Sequence, residues 1–316
     1  MNTYYNISPA YTFMNHFKFG YDEQWYVPRT GDNQKWQCEY GIASENLSIN
    51  KANKRAALLI QESAKNETIY LLLSGGADSE VAARSFLEAN VPFVAVVLKY
   101  KLKNSDKILN YEECRYADMF CEKYNIPKKE YILNPIDFWD TQEYQEIVTL
   151  SQTRSPMIAC TMWLAKQLDG FVVLGQGEPF IYSQFGEWWF REREVIVSWY
   201  KYWMFSGIKG VPGFHQYTPE QMLAYLTDPV ILELVNSKLE NENPLSSNAD
   251  IKHALYQKHY PESDIADRKK YTGFENLAFV ERYVKAKLIQ QFPFSDAEFT
   301  LSYKQMIKNL QGHRSF

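Results

Sequence analysis

One six-residue stretch constrains this chain more than any other: Ser74-Gly75-Gly76-Ala77-Asp78-Ser79. It follows the apolar run Ile69-Tyr70-Leu71-Leu72-Leu73 and leads into a segment of helical spacing, Glu80 to Ala89. A strand that ends in a glycine turn and restarts as a helix aims backbone N–H groups and the positive end of the helix at one point. Such a point suits an anion such as phosphate.

The same alternation continues along the chain. Thr68–Leu73, Phe93–Leu98, Glu130–Leu133 and Phe171–Leu174 read as strands, the most apolar of them buried on both faces. Glu80–Ala89, Asn110–Tyr124 and Asp137–Leu150 read as helices between them. A further helix opens on Ser155-Pro156, a capping hydroxyl followed by proline, and runs to Leu168. Strands separated by helices predict an α/β fold with a doubly wound parallel sheet. Ligands in such sheets bind beyond the carboxyl ends of the strands. Two of those ends carry glycine-rich loops, Ser74–Ser79 and Gly175-Gln176-Gly177-Glu178-Pro179, and neighbouring strands would bring both to one ligand. Residues 51–180 are therefore expected to form the α/β domain. Residues 1–50, rich in aromatics and turn formers, are expected to form a cap, and residues 181–316 a mainly helical substrate-side region.

Composition narrows the class. A chain of 316 residues with a 46% hydrophobic fraction can bury a sizeable core. A net charge of −4, with no long basic run, speaks against extensive nucleic-acid binding. No apolar run approaches the roughly 20 residues of a membrane span, and no secretory leader pattern opens the sequence. A cytoplasmic protein is expected. The four cysteines (Cys38, Cys114, Cys121, Cys160) form no C-x-x-C pair, and Cys114 and Cys121 lie on one helical face as small buried hydrophobes. His215, His253 and His259 form no helical metal pair.

Chemistry at the loop follows from its residue types. The glycines admit close backbone approach to phosphate oxygens, and the Ser74 and Ser79 hydroxyls add donors. A carboxylate repels phosphate, so Asp78 is expected to hold Mg²⁺ against it. The pattern S-G-G-x-D-S lacks the terminal Gly-Lys-Ser/Thr of a Walker loop.

On these residues the segment from about 68 to 180 resembles the ATP-pyrophosphatase domains of the N-type (PP-loop) superfamily, most closely the synthetase domain of asparagine synthetase. The helix from Ser155-Pro156, the strand Phe171–Leu174 and the following Gly175-Gln176-Gly177 resemble that family's helix, strand and G-E-G-x-D-E loop. Arg268-Lys269-Lys270-Tyr271-Thr272-Gly273-Phe274 resembles its late R-x-K segment. The resemblance implies an adenine nucleotide alpha hydrolase-like fold, ATP and Mg²⁺ as cofactors, and attack of a substrate oxygen on the α-phosphate. Pyrophosphate leaves, and ammonia or an amine then displaces AMP. It further implies Ser74, Gly75, Gly76, Asp78, Ser79, Gly175 and Gln176 as nucleotide-binding residues, and Lys270 as the catalytic lysine that stabilises charge on departing pyrophosphate.

The sequence also departs from that pattern. The family's first loop acid is Gln176 here, which cannot act as a base; Glu178, or Glu187 further on, is a carboxylate that could restore it. The family's glutaminase, with cysteine at position 2, has no counterpart: Asn2 stands there. Nitrogen would then come from ammonia, an amine or a separate glutaminase, and a homo-oligomer is an open arrangement. Adenylation of a nucleobase or a tRNA base, sulfur transfer, and a non-catalytic ATP-binding module are the competing readings.

Overall fold

The structure, a computed structural model, describes residues 17–27, 33–236, 248–261, 263, 265, 268, 271–293 and 296–313. The first described elements are strands β1 (Phe17–Tyr21) and β2 (Trp36–Tyr40), paired antiparallel. Their inward aromatics form a cluster with later elements: the Phe17 ring lies 5.3 Å from that of Tyr200 and the Tyr40 ring 5.7 Å from that of Phe190. Helix α1 (Ile49–Ala64) buries Ala52, Ala56, Ala57 and Ile60, a stripe at helical spacing.

A parallel sheet begins with β3 (Ile69–Leu72), helix α2 (Ala77–Glu88), β4 (Val94–Tyr100), helix α3 (Tyr111–Tyr124) and β5 (Lys128–Leu133). Three helices follow: α4 (Pro135–Trp139), α5 (Gln142–Ser151) and α6 (Pro156–Lys166), and then β6 (Phe171–Leu174). The sequence predicts one helix over Asp137–Leu150, whereas the chain breaks at Asp140–Thr141. There the Thr141 hydroxyl accepts from Tyr144 N and starts a new helix. In the sheet, β6 returns to pair with β3 on the side away from β4.

Beyond β6 come β7 (Phe180–Gln184), β8 (Glu187–Arg193), helix α7 (Glu194–Ser206), β9 (Gly210–Val211) and helices α8 (Pro219–Leu226), α9 (Pro229–Asn236), α10 (Asn248–His259) and α11 (Ala278–Gln291). Strand β10 (Glu298–Ser302) and helix α12 (Tyr303–Leu310) close the described chain. Residues 181–316 thus add strands as well as helices. Two-residue β9 extends the parallel sheet to the order β5-β4-β3-β6-β9, while β10-β8-β7 form a separate antiparallel sheet.

Alternation along the parallel strands builds two cores. Tyr70, Leu72, Val96 and Val172 belong to one apolar cluster; Ile69, Leu71, Val97 and Val173 belong to the other. Because successive side chains leave a strand on opposite faces, a sheet covered on both faces needs the unbroken apolar runs seen in β3, β4 and β6. The chain order reverses between β3 and β6, and the crevice beyond their carboxyl ends is where a doubly wound sheet takes its ligand. Among the described residues no helix is long and apolar enough to cross a membrane.

Candidate active site

The pairing of β3 with β6 sets the Ser74–Ser79 loop beside Gly175. Gly75 has φ +86°, and a Cβ there would come within 1.8 Å of the Glu113 carbonyl oxygen on α3. Only glycine suits both the left-handed backbone and that contact. Inside the loop the Ser74 and Ser79 hydroxyls lie 3.1 Å apart, Ser79 Oγ donates to the Gly76 carbonyl (2.9 Å), and Gly76 N donates to Ser74 Oγ (3.2 Å). Helix α2 then starts at Gly76, with no cap from a side chain among the described residues. The loop and the first turn of α2 line a cavity of about 360 Å³. Apolar side chains including Val96, Leu98, Ile158 and Leu174 line it together with the charged Lys252 and Arg268.

Asp78, in the first turn of α2, is gripped from across the cavity by helix α10. Lys252 Nζ donates to Asp78 Oδ2 (2.8 Å), and Tyr256 Oη, one turn further on, donates to Oδ1 (2.7 Å). The same ammonium donates to Glu178 Oε1 (2.7 Å). Burial opposes charge on Asp78, but Lys252, His215 and the two hydrogen bonds outweigh it and hold the carboxyl below its usual range. Burial likewise disfavours the Lys252 ammonium, and Glu178 and Asp78 together more than offset this and raise its pKa.

The Gly175–Pro179 loop is fixed by the backbone around it. Gln176 Nε2 donates to the Pro212 carbonyl (2.7 Å), while the Gln176 carbonyl accepts from His215 N (2.9 Å). His215 Nε2 lies 2.9 Å from the Asp78 carbonyl oxygen. The amide suits this position, since a carboxylate in the same place would set its charge against the Pro212 oxygen.

A buried acid, Glu80, is tied to the Ser74–Ser79 loop through Arg268. Glu80 Oε1 accepts from Arg84 (2.6 Å), and Glu80 Oε2 accepts from Arg268 (2.6 Å). The same Arg268 nitrogen reaches the Gly75 carbonyl (3.1 Å), and the guanidinium lies 4.2 Å from the Tyr116 ring centre.

Of the residues singled out from sequence, Ser74, Gly75, Gly76, Asp78, Ser79, Gly175 and Gln176 all line this cavity, and Glu178 reaches it through Lys252. Lys270 lies outside the described residues. Glu187 is exposed at the start of β8, paired with Gln184. The cysteines are free and buried, and burial pushes Cys114 up to about 12 and Cys121 up to about 11. Sequence reasoning missed Lys252, Tyr256 and Glu80. The one available signal was the i, i+4 spacing of Lys252 and Tyr256, which puts both on one helical face.

No family profile and no curated protein matches the sequence. Solved structures similar to it include NMN synthetase from Francisella tularensis, at 15% identity and TM-score 0.34 over 85% of this chain and 89% of that one. Another is NH3-dependent NAD synthetase from Campylobacter jejuni in complex with the nitrate ion, at 15% identity and TM-score 0.32 over 79% of this chain and 96% of that one. A third is a U34-tRNA thiolase from Methanococcus maripaludis with its 4Fe-4S cluster, at 15% identity and TM-score 0.31 over 75% of this chain and 79% of that one. At such TM-scores the likeness carries no functional assignment, so function rests on the site itself.

Proposed function

We propose that this chain is an ATP-dependent, AMP-forming synthetase that adenylates a substrate carboxylate and passes the acyl group to ammonia or an amine. The observation that carries this reading is the cavity at the strand-order reversal. Two glycine loops meet there, one of them S-G-G-x-D-S, and the lining combines phosphate-binding groups with apolar side chains. Backbone N–H groups of the loop and of the α2 amino end, with the Ser74 and Ser79 hydroxyls, bind the phosphates.

Asp78 and Glu178 fit a magnesium ion, since both already converge on a single cation, Lys252 Nζ. Two carboxylates plus phosphate oxygens and water are the ligands Mg²⁺ usually takes, and the ion would neutralise phosphate charge. In the reaction a carboxylate oxygen of the substrate attacks the α-phosphorus and the bond to the β-phosphate oxygen breaks. Pyrophosphate leaves with the electron pair. Lys252, bonded to Asp78 of the loop, supplies positive charge where negative charge accumulates. Ammonia or an amine then attacks the acyl carbon and AMP departs.

The asparagine-synthetase resemblance directs the first substrates to aspartate and ammonia, with a separate glutaminase as another nitrogen source. The test is pyrophosphate release from ATP across a panel of carboxylates and amines, nucleobases and tRNA. Release that depends on a carboxylate, with AMP formed in equal amount, is the expected result. Release driven by a nucleobase or tRNA would move the reading to those acceptors. ATP binding with no pyrophosphate release on any substrate would make the chain a nucleotide-binding module.

A further inference from the structure

The cation between Asp78 and Glu178 comes from the protein. Lys252 Nζ is 2.8 Å from Asp78 Oδ2 and 2.7 Å from Glu178 Oε1, and the three side chains are largely buried, at 17%, 26% and 15% exposure. Two carboxylates from different strand ends are thereby held together by one ammonium. A divalent ion bound to these carboxylates needs the same space, and two like charges cannot share it. The ammonium sits on a flexible four-carbon stem, and Lys252 lines the cavity beside the Ser74–Ser79 loop. It therefore has somewhere to go: toward the phosphates.

We propose that Lys252 is an exchangeable counter-ion. It occupies the Asp78–Glu178 pair while no metal is bound, yields that pair to the metal, and turns its charge onto the phosphates. Metal binding and Lys252 placement are then one coupled event. Tyr256 keeps its hold on Asp78 Oδ1 from the next turn of α10, so the helix stays docked as the ammonium swings away. The proposal rests on the reading of this cavity as a metal–nucleotide site and says how that site is charged before substrate arrives.

The probe is Mn²⁺ alone, titrated by calorimetry into the full chain and into Lys252→Met and Lys252→Arg. Removing the competing ammonium should tighten Mn²⁺ binding at least tenfold in Lys252→Met, while Lys252→Arg, which keeps a cation, should stay within about threefold of wild type. Thermal unfolding gives a second readout. Lys252→Met should melt lower than wild type without metal and gain more from Mn²⁺ than wild type does.

A purely structural ion pair would leave Mn²⁺ affinity unchanged or weaken it in Lys252→Met, and either result overturns the proposal. So does the absence of Mn²⁺ binding in both proteins. Should Lys252→Met not fold, the wild-type chain decides. Acetylation of Lys252, followed by mass spectrometry, should be slow without Mn²⁺ and at least fivefold faster with saturating Mn²⁺; equal rates overturn the exchange. Because the probe contains no nucleotide, failure of the exchange leaves ATP binding untouched. Failure of ATP to bind, seen in a separate titration, leaves the Mn²⁺ result standing.

Discussion

Gly175 and Ser79 are packed backbone to backbone: a Cβ on Gly175 would lie 2.5 Å from Ser79 Cα and 3.1 Å from the Asp78 carbonyl oxygen. The end of β6 thus presses on the first turn of α2, and this contact makes the two glycine loops a single site. Neither partner is the tip of a flexible side chain, so neither can turn aside.

Gly175→Ala should accordingly force the strand end and the helix apart. Overpacking of this kind costs about 1–3 kcal/mol, and the displaced loop should bind ATP at least tenfold more weakly. Urea denaturation gives the first quantity and nucleotide titration the second. Wild-type values for both would mean that β6 and α2 do not meet as described.

A second expectation concerns Glu80, which is buried and shared by Arg84 and Arg268. Glu80→Gln keeps the shape and removes the charge that both guanidinium groups face. Breaking a buried charge pair costs on the order of 3 kcal/mol because the remaining charge is left uncompensated. Arg268 also donates to the Gly75 carbonyl, so the loop should loosen along with the helix. A fall in urea midpoint at unchanged denaturant slope, together with weaker ATP binding, is the expected result. Loss of stability with intact ATP affinity would show that the cluster supports α2 but not the loop.

Much of this architecture was legible in the sequence, for physical reasons. The runs Leu71-Leu72-Leu73 and Phe171-Val172-Val173-Leu174 are unbroken because both faces of those strands are covered, and the glycine loops are where chain direction must change. Elsewhere the usual periodicities fail. Strand β8 reads Glu-Trp-Trp-Phe-Arg-Glu-Arg, and its buried positions are Trp188, Phe190 and Glu192. With a carboxylate on the inward face, the period of two is masked. Strand β9 has only two residues, too few for any pattern. Helix α10 buries Ile251 and Leu255 on one stripe and turns Lys252 and Tyr256 toward an acidic site beside it, so the residue that holds Asp78 looks in the sequence like an ordinary surface lysine.

The same inward carboxylate gives the last prediction. Burial pushes the Glu192 carboxyl up to about 7; the Tyr40 hydroxyl, 2.8 Å away, and the Arg193 N–H oppose the rise, and Glu178 adds to it. An unfolded glutamate titrates near 4.3, so between roughly pH 4.5 and 7 the folded chain holds a proton that the unfolded chain has lost. Stability from this group is therefore fully present below about pH 4.5, falls as pH rises, and is gone above about 7. A difference of two to three pH units corresponds to about 3 kcal/mol. Glu192→Gln stays neutral throughout, and its amide can exchange hydrogen bonds with the Tyr40 hydroxyl, which both donates and accepts. The variant should match wild type near pH 4.5 and melt higher at pH 8, by roughly 5 °C for a chain of this size. Thermal unfolding at both pH values measures the difference. Equal melting temperatures at pH 8 would mean that Glu192 is ionised at no cost, with water or a cation reaching it in solution.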